Sequence, residues 1–284
     1  MSSIDFCKFH GFGNDYIVIE RGQIPDSITD QELALKICDR KTGVGSDGIA
    51  IIEKLEEEKG DFRCQIVNPD GSIAPFSGNG TRCAVAYLYY RKMWRYPSLK
   101  LETLSGIKNY TLIERETEGH YWFEADIGRP KFAGSEIPIL LDGHDDSVIE
   151  RPFTLSGAVI NVSAVNVGNP VAGIFVDDFD FDWRSQAREL EVHDAFPENA
   201  NVVYIKVLDR ENIEIRIWER GAGHTISSGT AASGAAVLSV ATGRADRTIS
   251  VNSEGGTTEI YWRPDDNIMI TGRADLAFCG DWPL

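Results

Sequence analysis

The sequence predicts an α+β protein of two pseudo-symmetric halves, each a curled, mainly antiparallel sheet around one central helix. Three observations carry that expectation. Short runs of alternating apolar and polar residues recur along the chain, as half-buried antiparallel strands require. Each half holds one long, apolar, small-residue segment of helical length. A set of motifs appears twice in the same order. Strands gathered around a single long helix per half belong to the α+β class.

In the first half, residues 6–9, 16–20, 49–53, 62–67, 99–103, 110–113 and 121–125 read as strands, and 31–39 and 80–92 as helices. In the second half, the strand-like runs are 153–155, 159–167, 173–176, 202–207, 213–218, 249–251, 258–262 and 267–271. Its helices are 184–192 and 230–241. The strand runs are rich in β-branched and aromatic residues, and Gly, Asn, Asp and Pro punctuate them.

The repeat is the informative feature. Gly13-Asn14-Asp15 precedes an apolar run, and Gly168-Asn169-Pro170 does the same 155 residues later. Residues 68–87 match 219–238 at a spacing of 151, which aligns Ser77-Gly78 with Ser228-Gly229. Between these anchors both halves run helix, loop, strand. A period this long is no solenoid, whose repeats span roughly 20–50 residues. It fits two related domains.

Composition narrows the function. Apolar residues make up 42% and charged residues 25%, an ordinary globular balance that excludes wholesale disorder. The longest apolar run, 83–90, is far short of a membrane span, and the first twenty residues show no signal-peptide core. A net charge of −16 with no basic tract argues against nucleic-acid and anionic-membrane partners. A small anion remains acceptable if the site supplies local donors. Five cysteines without a C-x-x-C pair read as reduced cytoplasmic thiols, with neither a disulfide framework nor a metal site.

Each half delivers a Ser-Gly pair from a polar, glycine-rich loop straight into its main helix. These are Ser77-Gly78-Asn79-Gly80 and Ser228-Gly229-Thr230. A helix N-terminus exposes unpaired N–H groups and a partial positive charge, so it holds an anion readily. Taken singly, each serine is a helix cap and each glycine shapes a turn. The matched pair suggests two cradles facing a cleft and sharing one small carboxylate.

The chain resembles the diaminopimelate epimerases, pyridoxal-independent enzymes that invert an α-carbon of diaminopimelate, LL to meso, on the route to lysine and peptidoglycan. The resemblance rests on Lys8-Phe9-His10-Gly11-Phe12-Gly13-Asn14-Asp15, Thr42-Gly43-Val44-Gly45, Asn68-Pro69-Asp70-Gly71-Ser72 and Gly78-Asn79-Gly80-Thr81-Arg82-Cys83. It continues through Gly168-Asn169-Pro170, Phe196-Pro197-Glu198, Asn201-Val202, Glu219-Arg220-Gly221-Ala222-Gly223 and Thr271-Gly272. It implies two mirrored domains, 1–124 with 272–284 and 125–271, an active site in the cleft between them, no cofactor, and a homodimer. It places Asn14, Asn68, Asn169, Asn201, Glu219 and Arg220 on substrate-binding positions. Gly78, Asn79, Gly229 and Thr230 fall on the backbone cradles for the reacting carboxylate. The chemistry agrees: Arg grips a carboxylate bidentately, Asn both donates and accepts, and Glu holds an ammonium.

The family's two proton-transferring cysteines are Ser77 and Ser228 here. Val171 stands where a histidine follows Gly-Asn-Pro, and Gly48 where a glutamine contacts substrate. A thiol ionises near ~8.5 and an alcohol near ~15.7, a difference of roughly 9–10 kcal/mol against forming the base. Slow or altered chemistry is the expectation, with Glu219 assisting Ser228 and His224 either a surface turn residue or a replacement acid or base. The alternatives are an isomerase or lyase of the same fold acting on another small acid, or an amino-acid-binding homologue without catalysis. Turnover of an unsaturated acid would mark the first, and tight binding without solvent exchange the second.

Other signals fall away. Gly43-Val44-Gly45-Ser46-Asp47-Gly48 matches G-x-G-x-x-G, but a helix precedes it and a strand follows, the reverse of a dinucleotide loop. Asp178, Asp180, Asp182 and Glu189 fit a calcium loop except at its sixth place, where Trp183 replaces the required glycine. They read instead as a strand end and a helix cap. Cys83, more than one turn into its helix, reads as core.

Overall fold

A computed structural model describes residues 3–56, 60–140, 147–155 and 157–284. The chain divides into two compact units, Met1–Asp126 with Thr271–Leu284, and Ile127–Ile270.

The first unit opens with β1 (Ser3–Gly11) and β2 (Asn14–Glu20), joined by a Phe12-Gly13 turn in which both residues take positive φ. Glycine adopts that conformation freely; Phe12 does so with its buried ring under the Arg82 and Arg273 guanidinium groups. Helix α1 (Asp30–Ile37) follows, started by a capping box in which Thr29 and Glu32 exchange side-chain and backbone hydrogen bonds. Next come β3 (Ile49–Lys54), β4 (Phe62–Val67), β5 (Ile73–Ala74), the central helix α2 (Gly78–Tyr90), β6 (Ser98–Thr103), β7 (Gly106–Thr117) and β8 (His120–Gly128).

The second unit repeats the plan. It contains β9 (Arg151–Leu155), β10 (Ala158–Asn166), β11 (Pro170–Phe175), α3 (Trp183–Glu191), β12 (Asn201–Val207) and β13 (Asn212–Glu219). After these come β14 (Gly223–Thr225), α4 (Gly229–Ala241), β15 (Thr248–Ser253) and β16 (Gly256–Trp262). Strand β17 (Ile268–Pro283) starts in this unit and runs on into the first.

Pairing is the same in both units. In the first, β1–β2 is antiparallel, β2–β3 parallel, β3–β4 antiparallel, β4–β6 parallel and β6–β7 antiparallel. In the second, β10–β11, β11–β12, β12–β13, β13–β15 and β15–β16 follow that order of directions. The duplication in sequence is therefore a duplication in topology. In the first unit β17 pairs with both β1 and β8, closing the strands into a ring around α2.

Burial explains the patterns. The central helix lies inside its sheet, and Asn79 through Tyr89 of α2 are all buried. The amphipathic α1 packs Leu33, Ala34 and Ile37 on the other face of the sheet, against Ile17, Ile19, Ile49 and Ile51. In the second unit Trp183, Ala187 and Leu190 of α3 do the same against Val202 and Tyr204. Strands covered on both faces, such as β3 and β12, carry unbroken apolar runs (49–52 and 202–205), while β8 and β13, covered on one face, alternate.

Two expectations are corrected. Cys7 and Cys279 are joined by a disulfide, so these two are not free thiols. They stand directly opposite in the β1–β17 register, a neighbourhood that a separation of 272 residues hides in the sequence. The strand expected at 267–271 extends to Pro283, because its outer part pairs with β1, a partner from the other end of the sequence, while its own residues lack a regular apolar–polar alternation.

Candidate active site

Ser77 and Ser228 occupy the same structural position. Each is the N-cap of its unit's central helix, with extended backbone (φ −137°, ψ 121° and φ −150°, ψ 123°). Ser77 Oγ accepts the Gly80 N–H at 3.1 Å, and Ser228 Oγ accepts the Ala231 N–H at 3.4 Å. The serine carbonyls take the next amides, from Thr81 and Ala232. Of the four N–H groups an α-helix leaves open at its start, each cap side chain satisfies one. Gly78 and Gly229 then stand at the first helical position, with Asn79 and Thr230 at the second.

Ser77 is half-buried and Ser228 buried. Their hydroxyl neighbours differ. Ser77 Oγ donates to the Tyr16 hydroxyl at 2.9 Å, whereas Ser228 Oγ lies 3.4 Å from Thr230 Oγ1.

The other predicted residues of the first unit fall into two groups. Asn14 and Asn79 come together: Asn79 Nδ2 donates to Asn14 Oδ1 at 3.1 Å, and Asn14 Nδ2 donates to Asp47 at 2.8 Å. The fully buried Arg82 guanidinium donates to Asn79 Oδ1 at 2.5 Å, so the Asn79 side chain is held on both sides. Behind Asn14, Asp15 bonds Lys8 and Arg40, each at 2.7 Å, and Arg40 also reaches Asp47. Burial pushes the Asp15 carboxyl up, but its bonds to Arg40, Lys8 and Asp47 override this and hold it at about 2. Asn68 stands apart in the β4–β5 turn, donating to Ser72 Oγ.

In the second unit Asn201, at the start of β12, ties two predicted segments together. Its Nδ2 donates to the Pro170 carbonyl, next to Asn169, and its Oδ1 accepts the Arg220 N–H at 3.1 Å. Asn169 is half-exposed in the turn between β10 and β11. Glu219 ends β13, and the exposed Arg220 donates from its guanidinium to the Glu198 carbonyl. His224 sits on β14, not in a loop, and its Nε2 is 2.6 Å from Glu254, with Trp183 packed edge-on to the ring. Its contacts are with residues outside the predicted site.

The remaining cysteines offer no substitute base. Burial raises Cys38 to about 11, Cys64 to about 12 and Cys83 higher still, so none carries a thiolate at neutral pH. Asp182 caps α3 through the Ser185 N–H, the role expected of it. Tyr16 was not singled out by the sequence, where it is one aromatic residue in a strand.

A family model described as diaminopimelate epimerase matches residues 6–133 and 163–277. The diaminopimelate epimerase of Pelotomaculum thermopropionicum is 36% identical over 282 residues, covering 98% of each chain. The chain belongs to the diaminopimelate epimerase family. Its relatives are named epimerases, which are isomerases, and the chain is an enzyme of that class by descent. Among solved structures, a PhzF-family phenazine biosynthesis protein of Bacillus anthracis aligns over 100% of both chains with a TM-score of 0.72 at 18% identity. A hydroxyproline epimerase of Agrobacterium vitis aligns over 99% of this chain and 91% of its own, with a TM-score of 0.68 at 15% identity. These likenesses show the fold: two sheet-wrapped central helices in a mainly antiparallel α+β chain.

Proposed function

We propose that the protein is a cofactor-independent epimerase or racemase of a small zwitterionic amino acid, with diaminopimelate as the leading substrate. Ser77 and Ser228 are the two proton-transfer groups, one for each face of the α-carbon. The observation that carries this reading is the matched pair of caps, with Oγ and the first helical amides arranged alike in both repeats. Family membership at full length supports the substrate class.

The amides at Gly78, Asn79, Gly229 and Thr230 are the donors for the reacting carboxylate. Removing an α-proton pushes charge onto that carboxylate, and oriented N–H groups at a helix N-terminus stabilise it where it develops. Asn14, Asn68, Asn169, Asn201, Glu219 and Arg220 bind the rest of the zwitterion. The Asn79 side chain is held by Asn14 and Arg82. Glu219 is the group proposed to assist at Ser228. A homodimer is part of the same reading, on the family resemblance alone.

Incubation with LL-diaminopimelate in deuterated water tests it. Slow incorporation of α-deuterium with formation of the meso isomer is the expected result. The double variant Ser77→Cys/Ser228→Cys should raise the rate at least ~100-fold, because a thiol supplies the base that an alcohol lacks. No exchange in either protein sinks the proposal.

A further inference from the structure

We infer that Tyr16 is the proton-relay partner of Ser77, giving this serine a competence that Ser228 lacks. The inference rests on the proposed role of Ser77.

The geometry begins with the repeat. Ile17 pairs with Ile49 in the β2–β3 ladder, and Ala172 pairs with Val202 in the β11–β12 ladder. Ile49 and Val202 face Val67 and Trp218, which immediately precede the matched Asn68 and Glu219. Tyr16 and Val171, one residue earlier on β2 and β11, are therefore equivalents. Both point at a glycine of their central helix. A Cβ on Gly80 would lie 2.8 Å from Cε1 of Tyr16, and a Cβ on Gly234 would lie 2.8 Å from Cγ1 of Val171.

The difference is reach. Val171 is aliphatic and stops at α4. Tyr16, 6% exposed, carries its hydroxyl to the N-cap, 2.9 Å from Ser77 Oγ. Its ring has room because residue 48 is glycine, where a Cβ would also come within 2.8 Å of the ring. Gly48 and Tyr16 thus go together: the space a longer residue would occupy holds the tyrosine ring. Ser77 Oγ is left between the Gly80 amide and a phenol, while Ser228 Oγ lies between the Ala231 amide and another alcohol, Thr230, at 3.4 Å.

The chemistry follows from acidity. A phenol ionises near ~10, against ~15.7 for an alcohol-like hydroxyl and ~8.5 for a thiol. Passing the charge from serine to tyrosine recovers most of what was lost when oxygen replaced sulfur. In the donating direction the Ser77 O–H bond breaks as the C–H bond at the carbanion forms. The Tyr16 proton moves to Ser77 Oγ, and the electron pair remains on the tyrosine oxygen as phenolate. In the abstracting direction the same atoms run backwards. One proton travels between carbon and phenol, and nothing is oxidised or reduced. Tyr16 acts through Ser77 and does not itself touch the carbon.

Deuterium exchange into LL- and meso-diaminopimelate, followed as a function of pH, tests the relay. The proteins compared are wild type, Tyr16→Phe, Ser77→Cys, Ser77→Cys/Tyr16→Phe and Ser77→Cys/Ser228→Cys. The expected result is a loss of ~100-fold or more for Tyr16→Phe. It comes with little change in KM and with disappearance of the alkaline rise in rate. In the Ser77→Cys background, removing the tyrosine hydroxyl should change the rate by less than ~3-fold, because a thiol needs no relay. A fluorinated tyrosine at position 16, more acidic but nearly the same shape, should move the alkaline rise to lower pH. Wild-type exchange that Tyr16→Phe and the fluorinated residue leave unaltered overturns the relay alone. Exchange by the double-cysteine protein but not by wild type also overturns it while leaving the epimerase reading standing. No exchange by either overturns that reading, and the relay with it.

Discussion

Each cap serine commits one lone pair to an amide of the helix it starts, and this leaves its proposed proton-transfer role to whatever else lies within reach. Helix polarity helps an anion by only ~1–2 kcal/mol, small beside the roughly 9–10 kcal/mol between a serine alkoxide and a cysteine thiolate. A neighbouring hydroxyl of lower pKa is therefore worth more than position, and only Ser77 has a phenol among its contacts. Behind these residues, Asp15 anchors the turn that presents Asn14. Its carboxyl is held at about 2, below the ~3.9 expected of an unfolded chain. The stability it contributes is thus fully present above about pH 4 and is lost as pH falls through about 2. Asp15→Asn should cost on the order of 1–2 kcal/mol at neutral pH, allowing for solvent screening, and the difference from wild type should vanish near pH 2. Urea titrations at several acidities measure both.

At the scale of elements, the central helices were the most legible part of the sequence. A Ser-Gly pair followed by small apolar residues states a cap, a close backbone approach and a fully buried helix in one run of letters, and 78–90 and 229–241 are helical as that grammar requires. What the letters did not carry was distance across the fold. Tyr16 and Ser77 are 61 residues apart, and their contact exists only because β2 lies beside α2. The outer half of β17 was missed for a different reason: its pairing partner β1 lies at the far end of the sequence, and its apolar residues, Phe278 and Trp282 among them, do not alternate regularly. His224 was read from its nearness in sequence to Ser228, but the β13–β14 hairpin turns it toward Glu254. Helix α4 packs its Gly234 against the stiff, β-branched Val171. Gly234→Ala gains about 1 kcal/mol of helix propensity yet overpacks a rigid neighbour at ~1–3 kcal/mol. We expect a net loss of stability in denaturant titration, recovered in the pair Gly234→Ala/Val171→Ala beyond what the single changes would sum to.

For the whole molecule, the Cys7–Cys279 bond ties the two ends of the chain within the first unit across 272 residues. A crosslink over so long a loop removes much of the freedom of the unfolded chain, worth typically ~2–4 kcal/mol. A reductant should lower the thermal midpoint of the protein, and Cys7→Ser should lower it to the same point and abolish the effect of reductant. Equal midpoints in oxidised and reduced protein would contradict this. The charge of −16 belongs to the same scale. It lies on a molecule whose proposed anion donors are backbone amides, which attract at contact range and are little weakened by salt beyond a Debye length.

The ring around α2 has a consequence for how the chain is made. Its last stave, residues 271–283, leaves the ribosome only after the whole of the second unit, whose own strands β9 to β16 are contiguous. The later-encoded unit therefore has all its parts while the first still gapes, its apolar helix α2 lacking one wall. N-terminal domains ordinarily finish first during synthesis. Here the topology reverses that order: the opening half stays incomplete until the closing residues arrive.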